Sequence, residues 1–143
     1  MFVGEYRHTI DHKGRIAIPA KFRAKLAIGC VITRGLDYSL FIYTKEEWQK
    51  LAEKLSKLPL SQADARAFAR LMFAGASQVE LDKQGRIVIP IYLREYAGLK
   101  TDSVICGLYN RIELWDREKW EKYKSESEKD STDIAEHLSD LGV

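Results

Sequence analysis

The sequence predicts a mainly β fold with short helices (α+β), in which two tandem β-α repeats share one barrel with pseudo-two-fold symmetry. The first observation is a nine-residue motif that occurs twice, as DHKGRIAIP in Asp11–Pro19 and as DKQGRIVIP in Asp82–Pro90. The second is that short β-branched strand patterns surround each copy. The third is size, because four short strands and a small helix cannot bury a stable core in about 45 residues. We therefore expect the two copies to build one core together.

The similarity continues beyond the motif, which indicates a tandem duplication. Each copy has an arginine four residues after its proline, at Arg23 and Arg94. After one inserted residue the match resumes, with Gly35 and Leu36 equivalent to Gly107 and Leu108, Leu40 to Ile112, Tyr43 to Trp115, and Trp48 to Trp120. The repeats are placed at 5–48 and 77–120, with a helical connector at 49–76 and a helix end and acidic tail at 121–143.

Four strands are expected in each repeat, from alternating or β-branched residues bounded by turn residues. They are 5–10, 16–18, 30–34 and 38–43 in the first repeat, and 77–81, 87–89, 103–108 and 111–115 in the second. Pro19 and Pro90 end the second strands, because proline cannot donate to a strand ladder. Each proline suits the first turn of a short helix, and Gly29 and Gly98 are typical of where such helices stop.

A longer helix is expected at the end of each repeat. Thr44 and Glu47 form a capping-box pair, and Asp116 is the equivalent cap in the second repeat. An apolar stripe at helical spacing follows in the first repeat, at Trp48, Leu51, Leu55 and Leu58. A further helix from Ser61 to Ala74, capped by Ser61 and stopped by Gly75, is expected to join the repeats.

Residues 125–143 leave two alternatives open. Their acidic, serine-rich composition is typical of a disordered segment that wraps a partner. Apolar residues within the same stretch indicate instead a short helix that could dock, namely Ile134, Ala135, Leu138 and Leu141.

Composition argues for a globular protein with no membrane span. The chain has 143 residues, of which 45% are hydrophobic and 31% charged. No apolar run reaches the length of about 18 residues that a spanning helix needs, and no secretion signal is recognisable. Two lone cysteines, Cys30 and Cys106, form no disulfide framework and are expected to pack as small apolar residues. We expect a protein of the cytoplasm.

The sequence offers little that could support catalysis. Its three histidines, His8, His12 and His137, lack a third metal ligand nearby. No nucleophile elbow and no phosphate-binding glycine loop is present. We therefore predict that the protein is not an enzyme and has no cofactor, no metal and no small-molecule substrate.

Positive charge is concentrated at the start of the chain. Residues 1–34 have seven basic and two acidic residues, a net charge of +5, whereas residues 111–143 carry six basic and ten acidic residues, a net charge of −4. This division is typical of a face that binds a polyanion, held apart from an acidic end.

The best candidates for contact with DNA are the arginines that follow the turn glycines. Gly14 and Gly85 allow the turns a positive φ, and Arg15 and Arg86 then open strands on rigid hairpins. An arginine there can bind a phosphate or both acceptors of a guanine edge. Arg7, Lys13, Lys21 and Arg23 surround Arg15 in the first repeat. Asp11 and Asp82 could merely pair with these arginines, or could orient them without using all their donors.

These motifs resemble the MraZ family, part of the SpoVT/AbrB group of swapped-hairpin transcription factors. The resemblance rests on Met-Phe-x-Gly-Glu-Tyr at the start, on both Asp-x-x-Gly-Arg-x-x-Ile-Pro motifs, and on the tryptophan-bearing helices. It extends from Met1 to about Tyr123.

The resemblance implies a swapped-hairpin, double-hairpin barrel, assembled into a homo-oligomeric ring that is associated with the nucleoid. It also implies binding of double-stranded DNA at short direct repeats upstream of the protein's own operon, the cell division and cell wall gene cluster. The expected activity is that of a repressor or other regulator of transcription. The family's Asp-x-x-x-Arg motif corresponds to Asp11 with Arg15 and to Asp82 with Arg86, and the arginines are the implied DNA contacts.

The two repeats differ in charge around the motif. Arg7, Lys13 and Lys21 align with Gln78, Gln84 and Tyr92, and the net charge is +4 over residues 6–23 but +1 over 77–94. Because phosphate neutralisation dominates nonspecific affinity, we expect the first repeat to supply most of the DNA contact. An alternative class is a protein-binding module of the antitoxin type, which a disordered tail would favour.

Overall fold

The computed structural model describes all 143 residues and confirms the α+β class. The strands are β1 (Phe2–Thr9), β2 (Arg15–Ala17), β3 (Cys30–Arg34), β4 (Leu40–Thr44), β5 (Ser77–Val79), β6 (Arg86–Val88), β7 (Asp102–Tyr109) and β8 (Ile112–Asp116). The helices are α1 (Ala20–Arg23), α2 (Lys45–Ser56), α3 (Ala63–Gly75), α4 (Ile91–Ala97), α5 (Arg117–Lys129) and α6 (Ser131–His137). None of these helices has the length and apolar character needed to cross a membrane.

The strands of the two repeats are exchanged. A six-stranded sheet has the order β1-β7-β8-β4-β3-β5, and β2 pairs with β6 in a separate two-stranded ribbon. The first strand of each repeat pairs antiparallel with the third strand of the other, β1 with β7 and β5 with β3. If each strand is replaced by its equivalent in the other repeat, the strand order of the sheet is the same when read from the opposite edge. An approximate two-fold axis therefore passes between the paired strands β4 and β8. Neither repeat has a complete sheet of its own.

One apolar core joins the sheet and the ribbon. A cluster of 17 buried residues includes two isoleucines from each arm of the ribbon region, Ile16 and Ile18, and Ile87 and Ile89, each no more than 1% exposed. Sheet residues from both repeats complete it, among them Ile32, Ile42, Ile105 and Ile112. The expectation of a shared core is confirmed, because both copies contribute equivalent side chains to it.

Most strand bounds agree with the sequence pattern within two residues, and β1 is the main exception. It begins at Phe2 rather than at residue 5, because Phe2 is only 2% exposed and its ring packs edge-on against Phe22 at 5.1 Å. Both cysteines are buried, as expected. Burial raises the pKa of the Cys30 thiol to about 11 and that of Cys106 to about 12.

The expected caps of the longer helices are confirmed at two of three positions. The Thr44 hydroxyl accepts a hydrogen bond from the Glu47 backbone N–H at 3.1 Å, and the Asp116 carboxylate accepts one from Lys119 at 3.3 Å. Ser61 as the cap of α3 is wrong. Gln62 occupies that position without a side-chain bond, and its N–H donates to the Pro59 carbonyl in a preceding turn.

Helix α3 covers the outer side of the first repeat. Its Met72 is 1% exposed and belongs to a small outer core with Phe41, Tyr43 and Leu55. The Thr33 hydroxyl donates to the Met72 carbonyl at 2.7 Å, which fixes α3 against β3. The helix also includes Gly75, so this glycine is its last residue rather than the first one beyond it.

The tail is helical rather than disordered, so the first of the two alternatives for residues 125–143 is wrong. Helix α6 and a following 3-10 turn, Ser139–Leu141, occupy most of it. Every residue from 128 to 143 is exposed, so this helix does not dock on its own protein body.

The exchange of β1 predicts a strong effect at Gly107. A Cβ atom there would lie 2.5 Å from the Val3 nitrogen and 2.6 Å from the Phe2 carbonyl carbon, both backbone atoms of β1. Gly107→Ala is expected to lower the free energy of unfolding by about 1–3 kcal/mol, as overpacking does, measured by urea denaturation. Lys122→Ala, an exposed change on α5, is the control. Equal midpoints for both variants would contradict the prediction.

Candidate nucleic-acid interface

Each motif turn is held together by one aspartate. One carboxylate oxygen of Asp11 accepts hydrogen bonds from the backbone N–H groups of Lys13 and Arg15, both at 2.9 Å. The other oxygen accepts the Nε–H of Arg15 at 2.7 Å. Gly14 closes the turn with φ +78°, and its N–H donates to the Asp11 carbonyl at 3.0 Å. The aspartate thus fixes both the turn and the arginine that follows it.

The second repeat reproduces this geometry. Asp82 accepts from the backbone N–H groups of Gln84 and Arg86 at 2.9 Å and from Arg86 Nε at 2.8 Å, and Gly85 has φ +76°. The side chains of Arg15 and Arg86 are 25% and 27% exposed. Only Nε of each guanidinium is bonded within the chain, which leaves the four N–H donors of the two terminal nitrogens free. Each arginine can therefore bind a ligand through its terminal nitrogens while its Nε stays bonded to the aspartate.

Both arginines lie on one face of the β2–β6 ribbon. Arg15 is opposite Val88 and Arg86 is opposite Ala17, with Ile16 and Ile87 paired between them. Side chains alternate along a strand, and opposed residues share a face. Because Ile16 and Ile87 are buried, the two arginines point outward together.

Each motif turn is hydrogen-bonded to the strand of the other repeat, across the approximate two-fold axis. The Ile18 N–H donates to the Gly85 carbonyl at 2.9 Å, and the Ile89 N–H donates to the Gly14 carbonyl at 2.8 Å. The ribbon is therefore continuous with both turns, so the arginines are presented on a rigid frame.

Arg23 also connects the two repeats at these turns. Its Nε donates to the Ile18 carbonyl at 2.7 Å, and its guanidinium lies against Gly85 of the other repeat. Arg94 does the same with the Ile89 carbonyl and Gly14. This role was missed in the sequence, although one signal for it was present: the arginine recurs in both repeats, unlike the lysines around it.

The other basic candidates lie in different settings. Lys13 is exposed at the tip of the first turn and Lys21 is exposed on α1, and neither forms an ion pair. Arg7 lies on β1, where its Nη2 is 3.3 Å from the carboxylate of Glu121 on α5, with the arginine side chain 59% exposed. No cluster of three or more histidine, cysteine, aspartate or glutamate residues is placed to hold a metal ion.

Two apolar side chains on the ribbon were also missed. Ala17 and Val88 share the outward face with the arginines, and Val88 is 52% exposed. The alternation Arg86-Ile87-Val88-Ile89 carried this signal, since it places every second residue outward. Small apolar groups at such positions can contact a thymine methyl group.

The turn geometry stabilises the charged form of each aspartate. The pKa of Asp11 is lowered from 3.8 to about 2, chiefly by the backbone hydrogen bond from Arg15. Desolvation is the next largest effect and opposes this shift, whereas the Arg15 side chain and the Lys13 N–H add to it. The pKa of Asp82 is lowered in the same way, first by the backbone bond from Arg86. Both aspartates are therefore ionised under physiological conditions.

Comparison with known proteins gives consistent matches over the whole chain. A family model described as "MraZ protein, putative antitoxin-like" matches twice, at residues 1–71 and 72–141. The transcriptional regulators MraZ of Natranaerobius thermophilus, Acetivibrio thermocellus and Halothermothrix orenii are 50%, 51% and 52% identical to this chain. Each match covers 143 residues, all of both chains.

The lowered pKa of Asp11 predicts a specific loss of stability in acid. A group whose pKa is lower in the folded state stabilises the fold above its unfolded-state pKa of 3.8, and this contribution is lost as the pH falls toward about 2. Urea unfolding of the wild type between about pH 5 and pH 2 should therefore show a steeper decline than that of Asp11→Asn. Asp140→Asn, an exposed change in the tail, should keep the wild-type profile. Parallel profiles for the wild type and Asp11→Asn would refute this assignment.

Proposed function

The chain belongs to the MraZ family of transcriptional regulators, and on that premise we propose that it regulates transcription by binding double-stranded DNA through the outward face of the β2–β6 ribbon. The family is regulatory rather than enzymatic. The observation that carries the proposal is the pair of fixed arginines, each held by an aspartate at Nε and free at both terminal nitrogens.

The ribbon has a suitable shape for the major groove. That groove is about 12 Å wide and admits a two-stranded β-ribbon. Arg15 and Arg86 would read base edges or bind phosphates, with Ala17 and Val88 against the base surface between them. Because the ribbon is fixed by the turns and the core, little side-chain freedom is lost when the arginines bind.

Phosphate contacts are assigned mainly to the first repeat. Lys13 and Lys21 are exposed there without ion pairs, and Arg7 and the terminal nitrogens of Arg23 lie on the same repeat.

The equivalent of Lys21 is Tyr92, whose hydroxyl donates to the Gly75 carbonyl at 2.9 Å. The Arg34 guanidinium lies 5.8 Å from the Tyr92 ring and 5.9 Å from that of Tyr96. The second repeat thus uses this position for packing against the connector, whereas the first leaves it free for an anion.

Several finer elements of the proposal follow from the family resemblance. The targets are short direct repeats upstream of the protein's own operon, the cell division and cell wall gene cluster, where it acts as a repressor. It works in the cytoplasm, associated with the nucleoid, as a homo-oligomeric ring. The sheet and ribbon, which share one buried cluster, form the swapped-hairpin barrel. A ring presents several ribbons to repeated sites, so weak individual contacts combine into tight binding.

An antitoxin-type protein-binding module is the second candidate, and the undocked helix α6 is the observation that favours it. The two functions predict different effects of removing the tail. Deletion of residues 130–143 leaves the arginines of each ribbon in place, so binding to a single isolated repeat should persist, whereas the deletion would remove the surface that a protein partner binds.

Arg15→Ala is expected to abolish binding to the upstream DNA in a gel retardation assay, with assembly unchanged. The reason is that its terminal nitrogens supply the free donors of the first turn. Arg66→Ala is the matched control, because Arg66 lies on α3 and donates to the Leu60 carbonyl. If Arg15→Ala and the wild type retard the DNA equally, Arg15 does not have this role. Footprinting the wild type upstream of its own gene tests the operator assignment.

Arg86→Ala is expected to weaken binding less than Arg15→Ala, because fewer cations surround the second turn. Replacing Lys13 and Lys21 together by alanine should reduce the slope of log affinity against log salt by about 2, one unit per lost phosphate contact. Titrations at several salt concentrations measure both effects. A greater loss for Arg86→Ala than for Arg15→Ala would contradict the asymmetry.

A further inference from the structure

Helix α6 and the residues just after it have three apolar side chains that the rest of the chain leaves largely uncovered. Ile134 lies within α6, Leu138 directly follows the helix and Leu141 lies in the 3-10 turn after it, and their side chains are 43%, 41% and 76% exposed. An isolated helix of seven residues is far below the length of about 12 at which helices become marginally stable in water. A surface that covered these apolar side chains would therefore stabilise the segment.

A cleft with matching properties lies at the other end of the chain. We call it the N-terminal cleft; it has a volume of about 410 Å³, and its lining includes Met1, Lys25, Ile28, Lys45 and Tyr109. Three of these are large apolar side chains in open solvent, with Met1 69%, Ile28 75% and Tyr109 70% exposed. Exposed apolar residues gathered in one concave surface are typical of an interaction site.

The equivalent place in the second repeat is closed by the chain itself. In the alignment of the two repeats, Lys25 of the cleft corresponds to Tyr96. Asn110, which also lines the cleft, corresponds to Tyr38. The rings of Tyr38 and Tyr96 lie 5.6 Å apart, and the Lys119 ammonium lies 5.6 Å from the Tyr38 ring. The cleft in the first repeat is therefore the open counterpart of a site that is filled elsewhere in the same fold.

The charges of the helix and the cleft are complementary. Asp130, Asp133, Glu136 and Asp140 form no ion pair, and no lysine or arginine follows Lys129. In the cleft, Lys25 and Lys45 likewise lack an acidic partner within 4.0 Å. Two acids also line the cleft, Glu46 and Glu47, but both are paired with Lys50, at 3.4 and 3.0 Å.

We propose that α6 and the 3-10 turn after it, from one copy of this chain, dock in the N-terminal cleft of a second copy, with Ile134, Leu138 and Leu141 on Ile28 and Tyr109 and the acidic residues beside Lys25 and Lys45. A second copy is favoured by the joint between α5 and α6, which is the single residue Asp130. Six residues, 57–62, separate α2 from α3 in the first repeat, where the second helix does fold back on the body. The tail lacks such a linker.

This contact joins two different surfaces, so each copy can donate its tail to one neighbour and receive the tail of another. Such heterologous contacts generate closed rings when the rotation between copies closes. The inference rests on the assembly part of the proposed function and supplies the surface that it needs. The contact of a single ribbon with DNA does not depend on it, whereas the combined binding of several ribbons to repeated sites does.

The test uses the full chain with one substitution on each surface, measured by size-exclusion chromatography with light scattering. Leu138→Asp alters the tail and Ile28→Asp alters the cleft, and both positions are exposed, so neither change disturbs the core. Each should weaken association at least about tenfold, as expected for one lost buried side chain. Leu60→Asp is the matched control, an 82% exposed leucine outside both surfaces, and should assemble like the wild type.

Mixing the two variants gives the decisive measurement. Leu138→Asp retains a working cleft and Ile28→Asp a working tail, so the mixture should form a one-to-one dimer that neither variant forms alone. Wild-type assembly by either variant, or a mixture that stays monomeric, would overturn the docking proposal. A monomeric wild type would overturn both the ring and the docking, while gel retardation with Arg15→Ala judges DNA binding separately.

Discussion

The pairing of β2 with β6 is the constraint on which the candidate interface depends. Three residues from each repeat form this ribbon, and the N–H groups of Ile18 and Ile89 extend it to the opposite turn glycines. Its inner isoleucines belong to the main core, so its outer residues cannot move without disturbing that core. The arginines owe their fixed position to this coupling as well as to their aspartates. A hairpin from one repeat alone would expose its apolar side and lose this support.

The duplication produced equal scaffolds with unequal surfaces. Both turns keep the aspartate, the glycine and the arginine, since each of these has a backbone or geometric role that the fold needs twice. Lys13 and Lys21 form no contact that the fold needs, and the second repeat has Gln84 and Tyr92 at the equivalent positions. Tyr92 and Tyr96 instead bond to the carbonyls of Gly75 and Gly35, so the second repeat is bound to the connector and to β3. At these positions the second repeat therefore has side chains that pack within the protein, whereas the first repeat has exposed cations.

The sequence predicted the elements and the shared core well because both follow from local patterns and from repetition. Strand β3 was placed at its observed bounds, and the caps at Thr44 and Asp116 follow from side-chain chemistry close in sequence. The start of β1 was missed because Phe2 is held by Phe22 and β7, which are distant in the chain. The contact of Arg23 with Gly85 also crosses between repeats. Such long-range partners leave no mark in the spacing of neighbouring residues, so the structure was needed to find them.

The exchange of first strands has a consequence for how the chain folds during synthesis. Strand β1 is made first, but its only partner in the sheet, β7, lies about a hundred residues later along the chain. The growing polypeptide must keep an unpaired strand, which bears free N–H and carbonyl groups, until translation is nearly complete. The β3–β4 pair can form early, but a prematurely terminated product lacks β7 and exposes strand edges that can pair with other chains.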